Sequence, residues 1–351
     1  MSHKKLLFAK FLGEEILLEQ GRLLFSLLNS FSSSGYRVEL FNNLSDKHLD
    51  KYAQMAIDLD NILITDSIPE HTDACIYLFD KEDKALRKHR WNRLIQVRYD
   101  IFSGYWFKKP IIMPFPVHPV HAASLLNGRL DALRSNSKIV RVFFSGDTKD
   151  YTRNRVRYPK EKLPRQVIIN TLVEQADNNV VLINDHTDLD KIFKSTPINK
   201  CVIVDTGKIW VDDRNWLDTL SRTDFFLSPP GIVMPMCHNA IEAMAVGSIP
   251  ITNYPEWFDP ALEHMKNCIV FDDQQDLIMK INQAIAMDDN RISRLRKNVL
   301  DYYDSYLRPG RFIEKIESRE DSRLTVLMIT EGNMAKYPSK LNKHSILMKG
   351  A

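Results

Sequence analysis

Short apolar and β-branched runs alternate with stretches of helical period along most of the chain. Residues 4–12 (KKLLFAKFL) read as a first strand, although their Leu and Phe content also suits a helix. Residues 16–31 carry helical periodicity and stop at Ser32-Ser33-Ser34-Gly35, and 36–41 (YRVELF) alternates as a strand does. Further strands are expected at 61–65, 74–79, 93–98 and 110–115, with a helix at 50–58. Residues 121–133 look helical. The polar triplet Ser135-Asn136-Ser137 then marks a domain boundary, giving a first domain over 1–136.

The same alternation resumes with a strand at 138–144 (KIVRVFF), then a helix at 163–176 and strands at 179–183 and 200–205. A helix at 210–223 leads into residues 224–254, DFFLSPPGIVMPMCHNAIEAMAVGSIPITNY. Here a buried strand is broken by Pro229-Pro230-Gly231. A helix over about 236–246 stops at Gly247, and a strand follows at 248–252. The remaining elements are a strand at 267–271, helices at 274–287 and 289–307, and a break at Pro309-Gly310. Strand-helix alternation of this kind specifies doubly wound α/β domains. The second domain is expected over 137–310. The C-terminal segment 311–351 has strand character only at 323–330.

Composition narrows the class. The 351 residues hold 44% hydrophobic and 26% charged side chains, enough for two ordinary globular domains. Cys75, Cys201, Cys237 and Cys268 are far apart and form no C-x-x-C pair, so neither a disulfide framework nor a zinc site is expected, and a reducing compartment fits. The start, interrupted by Lys10, does not read as a signal peptide, and no run approaches 18 apolar residues, so no transmembrane helix is expected. A net charge of +3 does not by itself call for nucleic acid. Basic residues do cluster at 84–93, 148–165 and after Lys336. The cluster at 148–165 holds seven Lys or Arg against two acids. Such clusters meet phosphates or an anionic membrane surface, or are solvated surface.

Two constellations carry candidate chemistry. On the 236–246 helix, Ala240, Ile241, Met244 and Ala245 form an apolar stripe, and His238, Asn239 and Glu242 share a second face. The N-terminus of a helix after a Gly turn attracts anions, and a carboxylate one turn in accepts sugar hydroxyls. The other reading is a half-buried helix with a solvated polar face. In the second constellation Ser145-Gly146 ends a strand, where backbone N–H groups can approach an anion, and Arg153, Arg155 and Arg157 follow. An Arg fork grips a diphosphate bidentately.

Phe144-Ser145-Gly146 with Arg153, then Pro229-x-Gly231, Glu242-Ala243 and Gly247-x-Ile249-Pro250-Ile251, resemble the donor-site signature of GT-B glycosyltransferases, and within them the exostosin-like family. The resemblance covers about 140–271. Two departures stand out: Asn239 occupies the place of the family's Arg, and Met234 the place where many retaining GT-B enzymes carry a second Glu.

The resemblance implies a GT-B architecture, with two Rossmann-like domains facing a central cleft and a C-terminal segment crossing back onto the first. It further implies transfer of a sugar from a nucleotide-diphosphate sugar to a glycan or lipid-linked acceptor, in surface polysaccharide or lipopolysaccharide synthesis. Ser145, Gly146, Arg153, Arg157, Gly231, His238, Asn239 and Glu242 are the expected donor-binding residues, with Arg153 also stabilising the leaving group. Met234 points to inversion, which needs a base. Glu14, after the first strand, is the first candidate, with His118, His121 and Asp66 as rivals. Tyr105, Trp106 and Phe107 could stack on the acceptor or belong to a mixed core and surface cluster.

The only D-x-D triplets, Asp58-Leu59-Asp60 and Asp188-Leu189-Asp190, do not follow apolar strands, so no metal is expected. No cofactor beyond the nucleotide-sugar co-substrate and no nucleic-acid partner is expected. A cytoplasmic site with peripheral membrane contact fits the basic clusters. A retaining transferase, a nucleotide-sugar epimerase and a non-catalytic nucleotide- or sugar-binding subunit remain the alternatives.

Overall fold

A computed structural model describes residues 5–44, 49–99, 110–126, 128–148, 162–175, 177–194, 196–231 and 235–329. Two compact units emerge. Among the described residues, the first holds those up to Pro119 and Tyr306–Ile329, and the second holds Val120–Ser305. The chain therefore passes between units earlier than the Ser135–Ser137 triplet. Arg134 accounts for the shift. Its Nε donates to the Ala245 carbonyl at 2.9 Å, and its two Nη groups donate to Asp304 at 2.8 Å each. That fork binds the Arg129–Arg134 helix to the second unit.

The first unit is built on strands β1 (Lys5–Lys10), β2 (Tyr36–Phe41), β3 (Ile62–Thr65), β4 (Ile76–Phe79), β5 (Arg93–Arg98) and β6 (Ile111–Ile112). Its sheet is parallel throughout. The chain runs outward from β1 to β3, returns to the other side of β1 with β4, and so creates a switch point between β1 and β4. Leu7, Phe8 and Ala9 are fully buried, as the middle of a sheet covered on both faces requires.

The helix expected from residue 16 begins only at Arg22. Gln20 (φ 60°) and Gly21 (φ 80°) adopt left-handed backbone and interrupt it. A Cβ on Gly21 would lie 2.3 Å from the Ala53 nitrogen, so the helix Lys51–Ile57 can pack there only against glycine.

The second unit carries β7 (Val140–Gly146), β8 (Val180–Ile183), β9 (Ile198–Asp205), β10 (Thr223–Leu227), β11 (Ile249–Thr252) and β12 (Ile269–Val270). Their order is β12-β11-β10-β7-β9-β8, again parallel. The switch point falls between β7 and β10. Every residue of β10 and β11 is buried, which explains their unbroken apolar character in the sequence.

The C-terminal strand β13 (Arg323–Leu327) belongs to the first unit, where it pairs with β5 and β6. Pro309-Gly310, read from the sequence as a break, opens the helix Pro309–Glu317 with proline in its first turn. The segment 121–133 is two helices, Pro119–Leu126 and Arg129–Arg134, separated at Gly128 (φ 75°). The helix His186–Lys194 was not foreseen.

Candidate functional site

In parallel α/β sheets ligands bind outside the carboxyl ends of the strands at a switch point. In the second unit that position is the end of β7 and β10. Gly146 closes β7 and is half-buried. A Cβ there would meet the Phe144 ring at 2.9 Å, so the strand ends with its backbone drawn close to its surroundings. Ser228, Pro229, Pro230 and Gly231 follow β10 and are all buried. The Gly231 N–H donates to the Pro235 carbonyl at 3.1 Å, which closes the loop on itself.

The helix His238–Ala245 starts immediately beyond, with Cys237 as its N-cap in extended conformation. It stops as the sequence indicates. Gly247 adopts φ 84°, its N–H bonds to the Met244 carbonyl at 3.1 Å, and the Ser248 N–H reaches the Ala243 carbonyl at 2.9 Å. This paired closure is the Schellman arrangement, which needs a residue free to take left-handed backbone.

The two constellations, nearly a hundred residues apart in sequence, meet here. Asn239 Nδ2 donates to the Ser145 carbonyl at 3.4 Å. Arg165, the first residue of the helix Arg165–Gln175, ties the surrounding loops together. Its Nε donates to the Pro230 carbonyl at 3.2 Å, its Nη1 to the Asp147 carbonyl at 3.4 Å and its Nη2 to Cys237 Sγ at 3.3 Å. One guanidinium thus links the end of β7, the Pro-Pro-Gly loop and the N-cap of the helix. Beside it, Asn253 Nδ2 donates to the Leu163 carbonyl at 3.1 Å, and Lys162 pairs with Glu256 at 2.9 Å. Under the loop the Tyr254 hydroxyl bonds Ser228 Oγ at 2.5 Å, and burial holds the phenol well above its ordinary pKa. This end of the unit offers a fixed cation and the first turn of a helix, both suited to anionic oxygen.

Two features depart from the sequence reading. Residues 240–245 are buried on every side of the helix, so it has no solvated polar face. Glu242 is 0% exposed, and Trp216 Nε1 donates to its Oε2 at 2.6 Å, in a pair buried between this helix and the helix Asp213–Ser221. His238 and Asn239 remain half-buried at the open end. Arg165 was passed over as a site residue because it closes a basic cluster and starts a helix, where a cation usually signals solvent. Arg153, Arg155, Arg157, Met234, the aromatic triplet 105–107 and the basic tail lie outside the described residues.

In the first unit Glu14 is exposed at the carboxyl end of β1, as N-cap of a short turn over Glu15–Leu17. The preceding loop is held from below by Asp80. Its carboxylate accepts from the N–H groups of Leu12 (2.8 Å), Gly13 (2.7 Å) and Lys81 (2.7 Å). A Cβ on Gly13 would lie 2.3 Å from Glu15 Oε2 and 2.6 Å from the Asp80 carboxylate, so a larger residue here would push those side chains aside. Of the rivals to Glu14, His118 faces the Tyr52 hydroxyl at 3.1 Å, and Asp66 is exposed and accepts from Asn42 Nδ2 at 2.7 Å. His121 belongs to the second unit, and burial lowers its pKa. Among the described residues no group of three or more His, Cys, Asp or Glu is placed to hold a metal ion, and no helix is long and apolar enough to cross a membrane.

No family profile and no curated protein matches the sequence. Solved structures do. The chain is similar to a glycosyltransferase from Rickettsia africae at TM-score 0.51 and 9% identity, covering 90% of this chain and 97% of that one. HepE of Anabaena, solved in complex with UDP, gives 0.47 at 12% identity over 89% and 98%. The N-terminal domain of a Candida albicans trehalose-6-phosphate phosphatase gives 0.45 at 10% identity over 89% and 96%. Such identities speak for the fold alone, and the Rickettsia protein is the match on which that rests. The chain has the GT-B fold, two parallel sheets each flanked by helices.

Proposed function

We propose that the chain is a glycosyltransferase whose second unit holds a nucleotide-diphosphate sugar. The observation that carries this reading is the meeting of Ser145 with Asn239 at the β7/β10 switch point, locked by Arg165. In this reading the diphosphate lies against the backbone of Ser145-Gly146 and the first turn at His238 and Asn239, with Gly231 beside it. Arg165 fixes these parts relative to one another and adds positive charge for the leaving group. Arg153 and Arg157 add further charge from the neighbouring segment. Glu242 acts from inside, by holding the helix through Trp216. The GT-B fold shared with a glycosyltransferase supports the same class.

The finer assignment follows the sequence resemblance. The enzyme is exostosin-like and inverting, and independent of metal. It extends a glycan or glycolipid for surface polysaccharide or lipopolysaccharide, on the cytoplasmic side and in peripheral contact with the membrane. Glu14, exposed after β1, takes the proton of the acceptor hydroxyl.

A panel of nucleotide sugars tests the reading. A true donor present at about one hundred times its Kd adds about 2.7 kcal/mol of stability and raises the melting temperature. Release of nucleoside diphosphate must then accelerate when the matching acceptor is added. Stabilisation without any release leaves a binding subunit and overturns the enzyme reading. Proton NMR of the first product reads the anomeric configuration, and retention overturns inversion.

A further inference from the structure

A groove of about 860 Å³ opens in the second unit between the helices His186–Lys194 and Asp213–Ser221. It falls in the size range of ligand sites, roughly 300–1,000 Å³. Its lining follows from helical spacing. Leu189 and Phe193 face it from the first helix, and Asn215 and Thr219 from the second. The Phe193 ring packs edge-on against Phe143 of β7 at 5.7 Å, which anchors the apolar floor to the sheet. At the mouth Trp210 is 60% exposed, the most exposed large apolar side chain among the described residues.

The charges around the groove select among ligands. Its lining holds four aspartates, Asp190, Asp212, Asp213 and Asp218, against Lys194 and Arg222, which disfavours a phosphate or another anion. Three of the four already hold a cation of their own: Asp190 with Lys194 at 3.3 Å, Asp212 with Arg214 at 2.7 Å, and Asp218 with Arg222 at 2.8 Å. A cationic peptide would have to displace those cations. A neutral, hydroxyl-rich ligand would not, because each pair presents N–H donors beside carboxylate acceptors, and a hydroxyl uses both. The flat apolar face of a sugar ring matches an exposed indole, which combines an apolar body with a polar edge.

We propose that this groove binds a neutral oligosaccharide. Trp210 stacks on one sugar face, and Asp213, Asn215 and Thr219 take its hydroxyls. None of its lining residues belongs to the β7/β10 end, and the proposal does not depend on the donor assignment, because its test contains no nucleotide.

The full chain is titrated with hexasaccharides of glucose, galactose and N-acetylglucosamine, followed by calorimetry and tryptophan fluorescence. Saturable binding with a fluorescence change is expected for at least one of them. Trp210→Ala is expected to weaken it about tenfold or more, Asn215→Ala to weaken it, and Trp210→Phe to retain part of it. Circular dichroism of each variant reports the fold, and should Trp210→Ala misfold, Asn215→Ala decides. Absence of binding by all three sugars overturns the proposal. So does binding that neither substitution weakens, and so does preferential capture of a hexalysine peptide that Trp210→Ala abolishes.

Discussion

Replacing Glu242 separates two roles for a fully buried carboxylate of the second unit. The side chain is 0% exposed and accepts from Trp216 Nε1 at 2.6 Å, and Trp216 is itself 7% exposed. Glu242→Ala leaves the indole N–H buried without its acceptor, at about 1–3 kcal/mol. The volume removed adds a cavity cost in a helix packed on every side. A loss of about 2–5 kcal/mol is therefore expected, a large part of an ordinary folding stability of about 5–15 kcal/mol. Glu242→Gln keeps an acceptor and nearly the same volume, so it costs less, about 1.5 kcal/mol at most.

Urea unfolding of the wild type, both variants, Trp216→Phe and the double variants closes a cycle. The expected coupling between residues 216 and 242 is about 1–3 kcal/mol. Binding of uridine diphosphate is measured on the same proteins. If Glu242 acts only by holding the helix, Glu242→Gln keeps an affinity within about twofold of wild type. Unchanged stability in both variants with no coupling to Trp216 would refute the buried-pair argument. A tenfold or greater loss of nucleotide affinity in a fully stable Glu242→Gln would place the carboxylate on the donor, about 1.4 kcal/mol or more of contact.

Arg165→Ala is expected to weaken uridine diphosphate by about 1.5–3 kcal/mol, because a charged group and three loop ties are lost together; a titration within error of wild type contradicts this. Lys138 tests the charge cluster at the opposite end of the sheet, where its ammonium donates to the Ser221 carbonyl and Asp224 is shared by Arg141 and Arg296. Burial foremost, then Arg296, pushes the Lys138 pKa down to about 8. Between that value and the unfolded one the unfolded chain binds more protons, so this group makes stability rise as pH increases through that window. Lys138→Met should flatten that rise in the urea midpoint, and an identical pH profile would show the ammonium to be untroubled by its site. Glu14→Gln should lower kcat strongly and leave donor affinity near wild type; full activity moves the base to His118, His121 or Asp66.

Much of the fold was legible because the central strands of both sheets are buried on two faces. Strands such as TDFFL and IPIT then show as unbroken apolar runs, and the Gly247 stop shows as a glycine where left-handed backbone is needed. Elements governed by contacts distant in sequence were not. The Glu15–Gly21 turns replace a helix because Ala53 presses on Gly21, and the unit boundary moved because Arg134 reaches Ala245 and Asp304. The helix His186–Lys194 went unread because its buried side is only Leu189 and Ile192, too few positions to set a period.

At the site the resemblance is what linked the Ser145 and Asn239 blocks, and the bond from Asn239 to the Ser145 carbonyl brings them side by side. Glu242 was misassigned to a polar face because local spacing shows which residues are neighbours, not whether a tryptophan from another helix covers them. Arg165 carries no local signal that separates a half-buried tie from a solvated cation.

The most direct measurement of the central claim is amide hydrogen exchange of the full chain with and without uridine diphosphate. The β7/β10 assignment predicts slowed exchange in the segments containing Ser145–Asp147 and Cys237–Asn239, with Arg165→Ala reducing the effect in both. Protection confined to the first unit, or nucleotide binding that leaves both segments unchanged, would contradict it.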